Sequence, residues 1–260
     1  MEDLRIAAVQ AALVWESPAA NRAHLSARMA QISGADLVVL PEMFTTGFSM
    51  NAAHIAEAFH DEMETLQWMR SEARVHQAVI TGSVSVGVEN HYYNRLLWVR
   101  PDGSYSSYDK RHLFSMAAEH EHYTPGIART IEEVKGWKVL PLICYDLRFP
   151  ELARNISIGD AAAYDALIYV ANWPQVRRHP WSALLVARAI ENQAYTVGVN
   201  IVGTDGNGHE YSGDSVILDP RGELLTGAAA GAEQVVQATL SWRLLKEFRE
   251  RFPVLKDRVL

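Results

Sequence analysis

Apolar residues in this chain fall into two alternating patterns. Short apolar runs of strand length are separated by segments in which apolar positions recur every three or four residues. Leu4 to Val9 and Leu37 to Leu40 are runs of the buried-strand kind. Between them, Ser17-Pro18 reads as an N-cap and first-turn pair. Leu25, Met29 and Ile32 then share one helix face, and Gly34 can end that helix. A second helix is expected over Asp61 to Arg74, with Leu66, Met69 and Ala73 inward. Ala78–Val86, Tyr92–Arg100 and Ser104–Tyr108 read as strands, the last two joined by a tight turn at Pro101-Asp102-Gly103. Val139–Ile143, Ala166–Val170 and Tyr195–Ile201 are further strands, with a helix over Pro180–Asn192 between the last two. Gly203 to Gly213 is glycine-rich and polar and reads as a loop. Ser215–Leu218 and Gln234–Thr239 are strands, and a turn at Asp219–Gly222 lies between them. Ser241 caps a last helix that carries Leu244, Leu245 and Phe248 on one side and stops at Pro253. Helices alternate with buried strands at both ends of the chain, and hairpins fill its middle. This predicts an α/β fold with a mixed sheet or two stacked sheets and helices outside. No repeat, low-complexity tract or linker interrupts the pattern, so residues 1–260 are expected to form one domain.

Composition narrows the function classes. The 48% apolar and 21% charged fractions are those of an ordinary globular protein. A formal charge of −7 argues against a nucleic-acid surface, which needs a basic stripe. One cysteine leaves no internal disulfide framework. The opening MEDLRIAAVQ has two acids ahead of a short apolar run and does not read as a secretory signal. No apolar stretch approaches membrane-spanning length. A cytoplasmic protein without nucleic-acid or membrane partners is expected.

Three polar side chains share one placement: Glu42, Lys110 and Cys144 each follow closely on a predicted buried strand. In sheets covered by helices, groups beyond the strand ends converge. A thiol, a carboxylate and an ammonium together make chemical sense. The carboxylate takes the thiol proton and later activates water, and the ammonium stabilises a tetrahedral oxyanion. Cys144 sits where a strand breaks and a helix begins at Pro150, a place that exposes a sulfur and offers backbone N–H groups. Taken singly, each residue also has a plain structural reading, Cys144 as a small buried hydrophobe and the two charges as loop residues. The GxSxG pattern is absent. His120 and His122, with Glu119 and Glu121, lack a recognisable ligand spacing, so neither metal nor cofactor is expected.

The segments LPEMF (Leu40–Phe44), DKRHLF (Asp109–Phe114) and ICYDLRFPE (Ile143–Glu151) resemble the three signature segments of the carbon–nitrogen hydrolase (nitrilase) superfamily. Their order and spacing are the family's, and the resemblance runs over essentially the whole chain. It implies a four-layer α-β-β-α sandwich. It also implies Glu42 as general base, Lys110 as oxyanion stabiliser and Cys144 as nucleophile, with the Tyr145 backbone N–H in the oxyanion hole. A further glutamate is implied in EHEHYTPG; Glu119 matches best, with Glu121 as rival. A homodimer is implied through the helices near 150–157 and 180–192.

Within the superfamily, CYDLRFPE, FTTGFSM after Glu42 and ANWP (Ala171–Pro174) resemble the bacterial omega-amidase branch. That branch hydrolyses terminal amides of 2-oxo acid amides such as 2-oxoglutaramate and 2-oxosuccinamate. The implied partner is therefore a small-molecule amide carrying a carboxylate, which calls for a cation. Arg177 and Arg178 are the candidates, and Phe44, Phe114 and Trp173 are expected to wall the pocket. Another branch (aliphatic amidase, carbamoylase or nitrilase) is the alternative, although a nitrilase usually has Trp-Glu after the cysteine where this chain has Tyr145-Asp146. A non-catalytic scaffold on the same fold is the reading from another class, and the intact Glu42, Lys110 and Cys144 argue against it.

Overall fold

A computed structural model describes residues 1–156 and 162–258. Its first sheet runs in the order β15 (Gln234–Leu240), β1 (Leu4–Gln10), β2 (Leu37–Val39), β4 (Val79–Val88), β5 (His91–Val99) and β6 (Tyr105–Asp109), with β3 (Glu57–Ala58) beside β4. The second runs β14 (Leu224–Gly227), β13 (Val216–Leu218), β10 (Tyr195–Val199), β9 (Ala166–Val170), β8 (Trp137–Ile143) and β7 (Glu132–Val134). A separate hairpin pairs β11 (Val202–Thr204) with β12 (Glu210–Ser212).

Strand alternation divides the side chains between two cores. Leu4, Ile6 and Ala8 on β1 and Leu37 and Val39 on β2 join Val139, Ile168 and Val197 of the second sheet in one buried cluster. The intervening Ala7, Val9 and Val38 face the other way, onto Leu25 and Met29 of α1 (Pro18–Met29) and Leu66, Met69 and Ala73 of α3 (Glu64–His76). Between these helices in sequence lies the short α2 (Ala52–Ile55). On the far side, α6 (Arg178–Asn192) covers the second sheet. Its Leu185 and Trp181 press so closely on Gly198 that an added Cβ would stand 2.5 Å from one and 2.9 Å from the other. The layers are thus α-β-β-α, and each fully buried Leu or Ile contributes about 1.5–3 kcal/mol to holding them together. The last helix, α7 (Trp242–Arg251), docks through Leu245. Among the described residues no helix is long and apolar enough to cross a membrane.

Strand direction prepares the site. β1, β2 and β4 are parallel, and β6 regains the direction of β4 because β5 is antiparallel to both. The C-terminal ends of β2 and β6 therefore lie on one edge of the first sheet. The ends of β8 and β9, parallel to each other, meet them from the second.

Several short strands depart from the sequence reading. β7 and β14 are edge strands whose polar or interrupted composition carries no apolar run, because an edge pairs on one side only. The expected loop over Gly203–Gly213 contains β12 and part of β11. The helix expected near 150–157 spans only Pro150–Ala153 (α5), and Ser157 lies outside the described residues.

Candidate active site

Cys144 follows β8 directly and opens a 3-10 turn over Cys144–Arg148. Its φ is +44°, the left-handed region that costs a residue with a Cβ roughly 1–3 kcal/mol. Hydrogen bonding holds the bend, since Ile143 N–H donates to Asp146 Oδ2 at 3.0 Å. Cys144 as a residue is 9% exposed, and its thiol lies 4.0 Å from the backbone oxygen of Asn172, just past β9.

Glu42 arrives from the other sheet. The chain after β2 is pinned to β4, with Met43 N–H on Ser83 Oγ at 2.9 Å and Phe44 N–H on Ser83 O at 3.0 Å. The Glu42 carboxylate is completely buried and fully partnered. Oε1 accepts from Lys110 Nζ at 2.9 Å and from Asn94 Nδ2 at 2.8 Å, and Oε2 accepts from Asn172 N–H at 2.7 Å. Lys110, next after β6, also donates to both oxygens of Glu119, at 3.0 and 2.9 Å. Glu119 opens α4 (Glu119–His122), where its Oε2 accepts Phe114 N–H at 2.6 Å. Glu121 is exposed, so Glu119 is the glutamate that joins the group.

Burial pushes the Cys144 thiol well above its ordinary range; the Glu42 carboxylate adds to the rise and Lys110 opposes it. Burial works against the Lys110 ammonium, yet the carboxylates of Glu119 and Glu42 outweigh it and raise that group. Burial also raises Glu119, with Lys110 opposing and Glu42 assisting. The resting arrangement is therefore a protonated thiol near carboxylates that an ammonium holds in place. Such a set suits proton abstraction at the moment of attack rather than a standing thiolate.

A cavity of about 240 Å³ opens over the thiol. Phe48, Met50, Phe114 and Trp173 supply apolar walls, and Tyr145 lines it beside Cys144. Arg148 and Arg177 reach it as cations, with guanidinium carbons 4.9 Å from the Trp173 ring centre and 5.2 Å from the Phe114 ring centre. Asp205, His209 and Tyr211, in and beside the β11–β12 hairpin, line its rim.

Two expectations about pocket residues are corrected. Phe44 does not line the cavity. It is buried with the helix-side core of the first sheet, 5.6 Å from Trp68 between ring centres, because Met43 at φ +42° turns the chain after Glu42. Phe48 and Met50 stand in its stead. Arg178 is not a lining residue either; it pairs with Asp214 at 2.5 Å and is 54% exposed. Sequence reasoning missed Arg148, although it lies within the ICYDLRFPE segment. It also missed Asn94 and Asn172, whose role is to hold Glu42. Asn172 lies two residues past the end of β9 and was legible as another strand-end residue; Asn94 lies inside β5 and carries no such sign. Among the described residues no group of three or more His, Cys, Asp or Glu side chains is arranged to hold a metal ion.

Comparison with known proteins agrees with this geometry. The Carbon-nitrogen hydrolase family matches residues 5–250. The chain is 48% identical over 257 residues to Omega-amidase YafV of Escherichia coli (strain K12), covering 99% of this chain and 97% of that protein. It is 35% identical over 227 residues to the 2-oxoglutaramate amidase of Bacillus subtilis (strain 168), covering 86% and 85%. Among solved structures, XC1258 from Xanthomonas campestris, a CN-hydrolase superfamily protein with an arsenic adduct in its active site, superposes with a TM-score of 0.96 at 44% identity, covering 100% of this chain and 98% of that one. Saccharomyces cerevisiae Nit3, of the nitrilase superfamily, gives 0.87 at 26% identity, covering 100% and 97%.

Proposed function

The chain belongs to the carbon–nitrogen hydrolase family, and from that premise we propose that it hydrolyses the terminal amide of small 2-oxo dicarboxylic acid monoamides, such as 2-oxoglutaramate and 2-oxosuccinamate, to the dicarboxylate and ammonia. It is a hydrolase acting on carbon–nitrogen bonds. The observation that carries the substrate reading is a small aromatic cavity with two arginines, Arg148 and Arg177, opening over Cys144. The amidases of Escherichia coli and Bacillus subtilis, by their names, support it.

In the proposed reaction Glu42 takes the Cys144 proton as sulfur attacks the amide carbon. The carbonyl oxygen becomes an oxyanion held by Lys110 Nζ and the Tyr145 N–H. The carbon–nitrogen bond then breaks, Glu42 returns its proton to the departing nitrogen, and ammonia leaves a thioester on Cys144. Water, deprotonated by Glu42, attacks that thioester through a second oxyanion; the carbon–sulfur bond breaks and the thiolate recovers the proton. Glu119 keeps Lys110 aimed between these two events.

Arg148 and Arg177 would bind the carboxylate at the other end of the substrate, and the aromatic walls strengthen that attraction by excluding water. Glutamine carries an ammonium where the oxo acid has a ketone, and near two guanidiniums that charge is repelled. The test is ammonia release from 2-oxoglutaramate, 2-oxosuccinamate, glutamine, plain dicarboxylate monoamides and aliphatic nitriles. The expected kcat/KM for the oxo acids exceeds that for glutamine by at least about 10²-fold. Equal rates, or a preference for a nitrile, would overturn the reading.

The proposed working form is a cytoplasmic homodimer of one catalytic domain over residues 1–260, joined through α5 and α6. Partly exposed Leu184 and Val186 and the 51% exposed Ile190 on α6 support that interface. Sedimentation at micromolar concentration showing only monomer would remove it.

A further inference from the structure

Asp146 is completely buried two residues after Cys144, and its carboxylate gathers donors from two segments of the chain. Oδ2 accepts from Ile143 N–H at 3.0 Å and from Tyr108 OH at 2.8 Å. Oδ1 accepts from His112 N–H at 3.0 Å and lies 2.9 Å from His112 Nδ1. Ile143 directly precedes Cys144, while Tyr108 and His112 stand two positions to either side of Lys110. One carboxylate therefore ties the residue before the thiol to both flanks of the ammonium. The two groups sit on different sheets, and nothing in the local sequence of either fixes their separation. His112 adds a second link, its ring stacked on Phe149 at 3.8 Å and 8°.

We propose that Asp146 is a positioning residue that sets Cys144 Sγ against Lys110 Nζ and Glu42. The chemistry requires a carboxylate there. An ionised carboxylate only accepts, and both of its oxygens face donors. An amide of the same shape must turn its NH₂ toward one of those pairs. Aimed at Oδ2's partners it meets the Ile143 N–H, a fixed backbone donor that cannot reverse. Aimed at the other pair it meets the His112 N–H. Either way a buried donor loses its partner, and the turn that holds Cys144 at positive φ or the loop that carries Lys110 must shift. Asp146 is fully buried and does not line the cavity, so it acts only through the distances among the other three groups. Misplacement of this kind lowers the rate of the chemical step rather than ground-state binding.

The proposal rests on the amidase reading above, and the experiment separates the two. Asp146→Asn and Tyr108→Phe are compared with wild type for kcat, KM and the rate and stoichiometry of iodoacetamide alkylation. For Asp146→Asn the expected result is a kcat lowered on the order of 10²-fold, KM within about threefold, and one alkylated thiol per chain. Its alkylation is expected to be about tenfold slower, because Glu42 is no longer placed to take the thiol proton as sulfur attacks and Lys110 no longer offsets the charge that forms. Tyr108→Phe removes one donor and keeps the Ile143 bond, so it shows the same split with a smaller loss. A kcat within about threefold of wild type for Asp146→Asn, or a raised KM at unchanged kcat, overturns the proposal. If Asp146→Asn does not fold, an unaltered kcat in Tyr108→Phe overturns it instead. If wild type hydrolyses no amide, the functional reading fails, and the alkylation rates still decide this one: an unchanged rate in Asp146→Asn refutes it.

Discussion

Lys110 Nζ lies 2.9 Å from Glu42 Oε1, and neither side chain has any contact with solvent. Their strands belong to one sheet, yet 68 residues separate them. Glu119 completes the group around the ammonium at the same 2.9 Å. A buried ion pair of this kind gives little net stability, since desolvation offsets the attraction. Its removal in halves is another matter, and that asymmetry shapes what substitutions here will do.

Cys144→Ala abolishes turnover and leaves the far-UV circular dichroism spectrum unchanged. The substitution removes one sulfur from a buried turn and breaks no framework bond. Activity within tenfold of wild type would exclude the thioester route.

Glu42→Gln and Lys110→Met each lower kcat by on the order of 10²-fold or more, the usual size of general-base and oxyanion contributions. Their stabilities differ. Glu42→Gln leaves Lys110 paired with Glu119, whereas Lys110→Met strands two buried carboxylates and costs about 3–5 kcal/mol. Urea unfolding compares them; equal midpoints would contradict the charge arrangement described above.

Arg148→Met and Arg177→Met raise KM for a 2-oxo acid amide by about tenfold or more, and change an uncharged amide far less. Arg178→Ala leaves both values near wild type, because that side chain is engaged with Asp214 outside the cavity. Steady-state kinetics on the two substrates tests all three. A large effect from Arg178→Ala alone would reassign the carboxylate contact.

Stability depends on pH through Cys144. Burial and Glu42 hold its thiol well above the usual value, whereas in the unfolded chain it titrates near 8.5. Between those two values the folded protein keeps a proton that the unfolded chain has lost. The contribution is full below about pH 8.5 and is lost as pH rises toward the folded-state value. Wild type accordingly loses stability relative to Cys144→Ala between pH 7 and pH 10, by up to about 1.4 kcal/mol per pH unit above 8.5. A constant difference across that range would mean that the thiol is not held protonated.

Much of this molecule was written locally. Apolar runs at Leu4–Val9, Leu37–Leu40 and Val139–Ile143, and the helical spacing of Leu25 and Met29, all emerged as the elements they predict. These signals survive because each strand or helix buries a face that its own sequence must supply. Short edge strands such as β7 and β14 escaped notice because a strand paired on one side needs no apolar run.

The kinds of chemistry and their place are legible in the chain alone, a carboxylate, an ammonium and a thiol each close after a strand. Which side chains share the cavity depends on how the folded chain turns beyond those strands. Phe44 and Phe48 are both aromatic and close in sequence, but a positive φ at Met43 sends the first into the core, and the second lines the cavity. Arg177 and Arg178 are adjacent, yet one faces the cavity and the other faces Asp214. Arg148 reaches the same cavity from the last position of the turn that Cys144 opens. Composition and periodicity assign a residue to a strand end or a helix face. The direction of its side chain past that end depends on single backbone torsions and on donors from the opposing sheet, and those exist only once the two sheets have met.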